Sequence, residues 1–435
     1  MAVKGLLKIA LVAASTAAEK GSAHHYETKS VNLENAAPVE SYVGFGSYDA
    51  LKDAGDDMHA VHGAPTADGG YVLVGKALES EESAHTEAFA FKVDAAGDLA
   101  WSWTSDLRGA SDAANAVAVR PSDGALLVAG WRTVGGVGRR SVTALAADTG
   151  AELWTAADFG DAENSHGAWE MIEVAPSGTV VLSGLREKET LEEMWFKSYG
   201  NAPGGVAVVE AYEPSAFSSA PSSADRSWSR TFADYMSAKA ARATDAGYAV
   251  LLYGEGDGQG AALAALDAAG AVVWGPTDYG DAHGEGTDLA VGAAGAALAV
   301  SGHGGADGAI SGRLTKVDAA SGARLWTKSY SVGGVPTMIY NECWGVAALA
   351  DGGFALSCGA GIEEAAVCRR HEEPLRSRCL EGVADDRPGA AAVPPGVWLS
   401  FVARADADGD LRWQRVDSYR GPDDPARGRR RLGAH

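Results

Sequence analysis

The sequence predicts an all-β fold built from repeated four-stranded units. Three observations carry that reading: a turn-and-strand segment that recurs six times, an Asp-to-Trp segment that follows it, and 56 Gly against 15 Pro, a ratio suited to tight turns. The recurring segments are Asp68-Gly-Gly-Tyr-Val-Leu-Val-Gly75, Asp123-Gly-Ala-Leu-Leu-Val-Ala-Gly130, Ser177-Gly-Thr-Val-Val-Leu-Ser-Gly184, Ala246-Gly-Tyr-Ala-Val-Leu-Leu-Tyr-Gly254, Ala294-Gly-Ala-Ala-Leu-Ala-Val-Ser-Gly302 and Asp351-Gly-Gly-Phe-Ala-Leu-Ser-Cys-Gly359. Each reads as a turn, a short apolar strand and a glycine stop. The closing glycines are 55, 54, 70, 48 and 57 residues apart, room for four strands.

The second signature is a strand that ends at Asp, turns on Gly and returns carrying Trp. It occurs as Val93-Asp94-Ala-Ala-Gly97-Asp-Leu-Ala-Trp101, Asp148-Thr-Gly150-Ala-Glu-Leu-Trp154, Asp267-Ala-Ala-Gly270-Ala-Val-Val-Trp274, Asp318-Ala-Ala-Ser-Gly322-Ala-Arg-Leu-Trp326 and Asp406-Ala-Asp-Gly409-Asp-Leu-Arg-Trp413. The third unit keeps only Trp228, after a stretch rich in Ser, Ala and Pro. A weaker strand precedes each first segment, as in Ala116-Val-Ala-Val119 and Trp169-Glu-Met-Ile-Glu-Val174. Four strands per unit, repeated radially to protect their edges, describe a β-propeller of six blades, with seven as the alternative count. The Trp of each unit is expected to insert between adjacent blades. Helical periodicity is confined to 187–196, a short helix or an extra strand pair.

The organisation along the chain follows. Residues 1–22 have the outline of a secretory signal peptide, with Lys4 and Lys8 ahead of a short apolar run and then small residues. Residues 23–41 are expected to be disordered, 42–416 to form a single propeller domain with 43–48 closing it, and 417–435 to be a disordered basic tail. The four cysteines cluster in the C-terminal third. Cys343 and Cys358 flank a turn and can face each other on paired strands, and Cys368 with Cys379 closes a loop, so the expectation is two disulfides. None of these pairs has the spacing of a structural zinc site.

The formal charge of −22, which becomes −24 without 1–22, opposes the counterion release that drives binding to nucleic acid. No further apolar run approaches the ~20 residues needed to cross a bilayer. The expectation is a secreted or extracytoplasmic monomer.

With the repeats in view, 148–154 and 318–326 resemble the tryptophan-docking repeat of quinoprotein-like (PQQ-like) propellers, and the whole repeat also resembles uncharacterised secreted bacterial propellers, over 57–416. The resemblance implies the propeller fold and, for its enzymatic members, a quinone-dependent dehydrogenase with an adjacent Cys-Cys pair and acidic calcium ligands. This chain has no adjacent Cys pair.

Propeller function resides in loops at one end. The connections from one unit to the next are acidic, and Asp57, Asp112, Asp161, Glu163, Asp281 and Asp288 are the candidate ligand-binding residues of a channel mouth. Hard oxygen donors in such a ring would hold calcium; the plainer reading is that Asp-Gly pairs set turns. No other cofactor is expected. His59, His62, His166 and His283 read as surface or turn histidines without metal-site spacing. Nucleophile-elbow, P-loop and zincin motifs are absent from the sequence. The functional expectation is a non-catalytic scaffold binding a glycan, peptide or protein, against a propeller enzyme of the quinone-dependent dehydrogenase or glycan hydrolase/lyase type.

Overall fold

In the computed structural model the described residues are 25–31, 58–78, 85–105, 110–188, 205–254, 260–279, 285–292, 295–304, 311–330, 340–362 and 397–420. Short apolar runs bounded by Asp-Gly turns become strands, and each group of four consecutive strands forms one antiparallel sheet. Blade one is β2 (Met58–Pro65), β3 (Tyr71–Leu78), β4 (Thr86–Val93) and β5 (Leu99–Thr104); blade two is β6 (Asp112–Val119), β7 (Leu126–Val134), β8 (Val137–Leu145) and β9 (Glu152–Ala156). Blade three is β10 (His166–Val174), β11 (Val180–Lys188), β12 (Val206–Tyr212) and β13 (Arg226–Phe232); blade four is β14 (Ser237–Thr244), β15 (Gly247–Tyr253), β16 (Ala262–Asp267) and β17 (Val272–Asp278). Blade five is β18 (Glu285–Val291), β19 (Ala297–Gly304), β20 (Ser311–Asp318) and β21 (Arg324–Tyr330); blade six is β22 (Tyr340–Ala348), β23 (Phe354–Ile362), β24 (Val397–Ala405) and β25 (Leu411–Arg420). The fold is a six-bladed β-propeller.

Asp49–Gly280 with Ala319–Gly322 form one compact unit, which holds blades one to four; Asp281–Asp318 and Ala323–His435, with the N-terminal strand, form the other. That N-terminal strand, β1 (His25–Val31), lies in a segment expected to be disordered. It pairs antiparallel with β25, from His25 opposite Arg420 to Val31 opposite Gln414. β25 likewise runs to Arg420, into the stretch from 417 that was expected to be a tail. The closing strand expected at 43–48 lies outside the described residues, as does all of 187–196 beyond Lys188, the end of β11.

In blades one, four and six the Asp at the end of the third strand builds the turn that follows. Asp94 Oδ1 accepts from the main-chain N–H groups of Ala96, Gly97 and Asp98 at 2.8–2.9 Å, and Asp267 and Asp406 do the same work in their turns. The returning strand's Trp then docks on the corresponding turn of the next blade. Trp101 Nε1 donates to the Ala147 carbonyl (3.1 Å), Trp228 to that of Ala268 (3.1 Å) and Trp274 to that of Ala319 (3.0 Å). Each ring lies flat against that turn's glycine. A Cβ on Gly270, for instance, would stand 2.5 Å from Trp228 Cε3, and its φ of +78° already disfavours any side chain. Gly270→Ala is therefore expected to lower stability by about 2 kcal/mol or more, left-handed backbone and overpacking acting together. Chemical denaturation of the variant against wild type measures it.

Trp154 departs from this arrangement. The next blade's equivalent turn is replaced by two 3₁₀ turns, Pro214–Ser218 and Ser223–Asp225, and Trp154 packs instead against Phe217 with ring centroids 6.1 Å apart. Its Nε1 is buried without a hydrogen-bond partner among the described residues. This is the unit in which the Asp-to-Trp signature is degraded.

The glycine read as a strand stop is one in blade four, where β15 ends just before Gly254, but β3, β7, β11, β19 and β23 continue past Gly75, Gly130, Gly184, Gly302 and Gly359. The reason is a bulge that recurs in every blade's first strand. One extra residue, in order Val61, Asn115, Glu170, Lys239, Thr287 and Trp344, interrupts the pairing with the second strand. The bulge drives a carbonyl against the facing position: a Cβ on Gly130 would lie 1.9 Å from the Ala113 oxygen, and one on Gly184 would lie 2.1 Å from that of Ala168. In blade six the facing pair is Cys343 and Cys358, joined by a disulfide.

Candidate functional site

Antiparallel order sorts the connections of each blade by end. First-to-second and third-to-fourth connections share one end, and nearly all are tight turns closed by main-chain bonds such as Gly97 N to Asp94 O. Second-to-third and blade-to-blade connections share the other. There the length varies from the two residues Gly135 and Gly136 to the whole of 363–396. Of the candidate carboxylates, the described ones, Asp112, Asp161, Glu163 and Asp288, lie at or near this second end.

Asp112, Asp161 and Asp288 make structural bonds there. Asp112, the first residue of β6, is buried; its Oδ1 accepts from the Ala88 N–H (2.7 Å) and the Ser105 hydroxyl (2.9 Å), joining blades one and two. Burial, the largest influence, pushes its pKa up to about 6 against those hydrogen bonds. A small cleft beside it, with room for about one water molecule, is lined by Trp103, Arg132, Ser141 and Glu152.

Asp161 forms part of a buried ion network between blades two and three. Arg140 on β8 donates Nε to both Asp161 oxygens (2.8 and 3.0 Å), Nη2 to the Phe159 carbonyl (2.8 Å) and Nη1 to Glu210 Oε1 (3.3 Å). Arg226 reaches the same Glu210 oxygen at 2.7 Å, and the Tyr212 hydroxyl donates to Oε2 at 2.6 Å. The guanidinium carbon sits 4.2 Å from the Trp169 ring centroid. Burial works against the Arg140 charge, but Asp161 and Glu210 outweigh it and hold its pKa above the ordinary value. Asp161 is thus a partner of Arg140 rather than a ligand left open in a loop. Phe159, its neighbour in the repeated Asp-aromatic-Gly-Asp motif, is a buried anchor edge-on to Trp169 at 5.4 Å, and the equivalent Tyr279 donates its hydroxyl to the Gly322 carbonyl.

Asp288 lies within β18 rather than in a loop. Its Oδ2 accepts from the Val346 N–H (3.2 Å) and its Oδ1 from that of Leu289 (2.8 Å), so it joins blades five and six. Glu163 is exposed, and its main-chain oxygen accepts from Arg139. Asp57, Asp281, His283 and the Cys368–Cys379 pair lie outside the described residues. Among the described residues no three His, Cys, Asp or Glu side chains come together as a metal site.

His62 and His166 lie within strands rather than in turns. His166, buried at the start of β10, accepts from the Gly138 N–H at 2.9 Å, and His62 Nδ1 accepts from that of Val117 at 3.2 Å; both bonds cross between blades. Sequence reasoning missed Arg140 and Glu210. Their one signal is a charge inside an apolar strand, as in Val206-Ala-Val-Val-Glu-Ala-Tyr212.

The Asp112 titration yields a direct expectation. Its folded pKa lies above the ordinary value of 3.8, so the folded state binds the proton more tightly. The stabilisation is complete below about pH 4 and is lost as pH rises through about 6, amounting to roughly 3 kcal/mol at 1.36 kcal/mol per unit. Wild-type unfolding free energy minus that of Asp112→Asn should therefore fall between pH 4 and 6.5; a flat difference would refute the shift.

No protein-family model and no curated protein matches the sequence. Among solved structures, a Hadza microbial sialidase aligns with TM-score 0.45 and 8% identity over 70% of this chain and 66% of its own. Chaetomium thermophilum Sqt1, bound to the N-terminus of the ribosomal protein L10, aligns with TM-score 0.39 and 14% identity over 82% and 86%. The quinohemoprotein alcohol dehydrogenase of Comamonas testosteroni aligns with TM-score 0.36 and 11% identity over 80% and 67%. The chain is similar to these propellers, quinoproteins included. No helix of the described residues is long and apolar enough to cross a membrane.

Proposed function

We propose that this protein is a non-catalytic, extracytoplasmic scaffold that binds a glycan, peptide or protein with the variable end of its blades. The observation that carries the reading is the contrast between the two ends, one set by repeated Asp-Gly turns and the other by connections of very different length. Variation confined to one end is how a fixed scaffold is adapted to a partner. The roles of Asp112, Asp161, Asp288, His62 and His166 support it, since their polar atoms are spent on holding blades together. The Cys343–Cys358 disulfide is compatible with an oxidising compartment.

The test is a glycan and peptide array probed with the purified chain and with a variant carrying a short Gly-Ser link in place of 363–396. Selective retention by wild type, lost in a variant that unfolds at the same denaturant concentration, is the expected result. Turnover of fluorogenic glycosides, or reduction of an acceptor dye with added PQQ and calcium, would sink the scaffold reading.

A further inference from the structure

Two of the bulge residues, Asn115 and Thr287, share a task. Asn115 Nδ2 donates to the Trp169 carbonyl at 2.9 Å, and Thr287 Oγ1 donates to that of Cys343 at 2.6 Å. In both cases the acceptor is the residue just before the next blade's bulge. The same step from blade three leads from Glu170 to the carbonyl of Ala238, the residue before the bulge at Lys239. A carboxylate has no proton to donate to a carbonyl.

The surroundings repeat the mismatch. In blade five Thr287 Oγ1 also meets Ser301 Oγ at 3.2 Å, and Ser301 faces the residue after the bulge. Ser183 holds that position in blade three, opposite Met171. Glu170 is 3% exposed and Ser183 0%, yet Glu170 Oε2 and Ser183 Oγ are both buried without a hydrogen-bond partner among the described residues. Two oxygens unsatisfied among the described residues, and a carbonyl, thus stand at positions that bond one another in a sister blade. Lys239 makes no hydrogen bond to Oε2, and its ammonium lies 5.2 Å from the Tyr253 ring centroid.

We propose that Glu170 and Ser183, with the main-chain oxygen of Ala238, hold a monovalent metal cation between blades three and four. All three donors are hard oxygens. One carboxylate balances one positive charge; a divalent ion would leave net charge in a buried site. The cation takes the place of the proton that Asn115 and Thr287 supply elsewhere.

Thermal unfolding in sodium, potassium or choline chloride at equal ionic strength tests it. The wild type should melt about 3 °C higher in at least one of the metal salts than in choline. Glu170→Gln, whose amide can donate as Asn115 does, should fold and lose that difference, and Ser183→Ala should reduce it. Crystals soaked in thallium should show an anomalous peak beside Glu170 Oε2. Equal melting in all three salts, a response that survives in Glu170→Gln, or a thallium map without that peak would overturn the proposal.

Discussion

Replacing Arg140 by methionine is expected to cost about 3–5 kcal/mol, among the largest effects of any single change in this protein. The side chain is 1% exposed, and its removal leaves Asp161 and Glu210, 2% and 0% exposed, without the charge that compensates them. Arg226 retains its hold on Glu210, so the greater loss falls on Asp161. Methionine fills most of the volume against Trp169, so the cost is chiefly electrostatic. Urea unfolding followed by tryptophan fluorescence measures it. The combined variant Arg140→Met, Asp161→Leu and Glu210→Leu should recover much of the loss, because a buried ion pair replaced whole by apolar groups is often neutral. A single variant within 1 kcal/mol of wild type would show that the network contributes little.

The disulfide comes next. Cys343 and Cys358 are 15 residues apart, and closing a loop of that size stabilises by about 3 kcal/mol through the unfolded chain. Blades one, two and five carry Gly75, Gly130 and Gly302 at the position of Cys358, opposite Ala60, Ala114 and Gly286. The double variant Cys343→Ala, Cys358→Gly thus converts blade six to a pairing the other blades already use, and the native backbone should survive. Its midpoint should fall by the loop-closure amount, and dithiothreitol should destabilise wild type but not the variant. Equal stability of the two would mean that the bond constrains the unfolded chain little.

Strands, blades and tryptophan docking were legible because each is a local pattern repeated. Asp94 and Gly97 set their turn within five residues, and Trp101 recurs at the same distance from it in unit after unit. The degraded third unit was legible for the same reason, and Trp154 is where its loss is felt. Cys343 and Cys358 were legible because a single turn separates them.

The roles of the candidate residues were not legible in this way. The sequence placed Asp161 and Asp288 near one end of the blades, but an ion pair with Arg140 or a bond to the Val346 N–H depends on a neighbouring sheet's position. Glu210 lies 70 residues from Arg140. Gly130 was read as a stop because a glycine after an apolar run usually is one, and only the bulge at Asn115 reveals the carbonyl that forbids a side chain there. By itself, then, the sequence determined the strand grammar, the blade count and the facing cysteines, since turn geometry and side-chain alternation act over a few residues. Only the tertiary structure decided which charges are neutralised, which histidines bridge blades and why the glycines recur, since burial and pairing across sheets arise when distant segments meet.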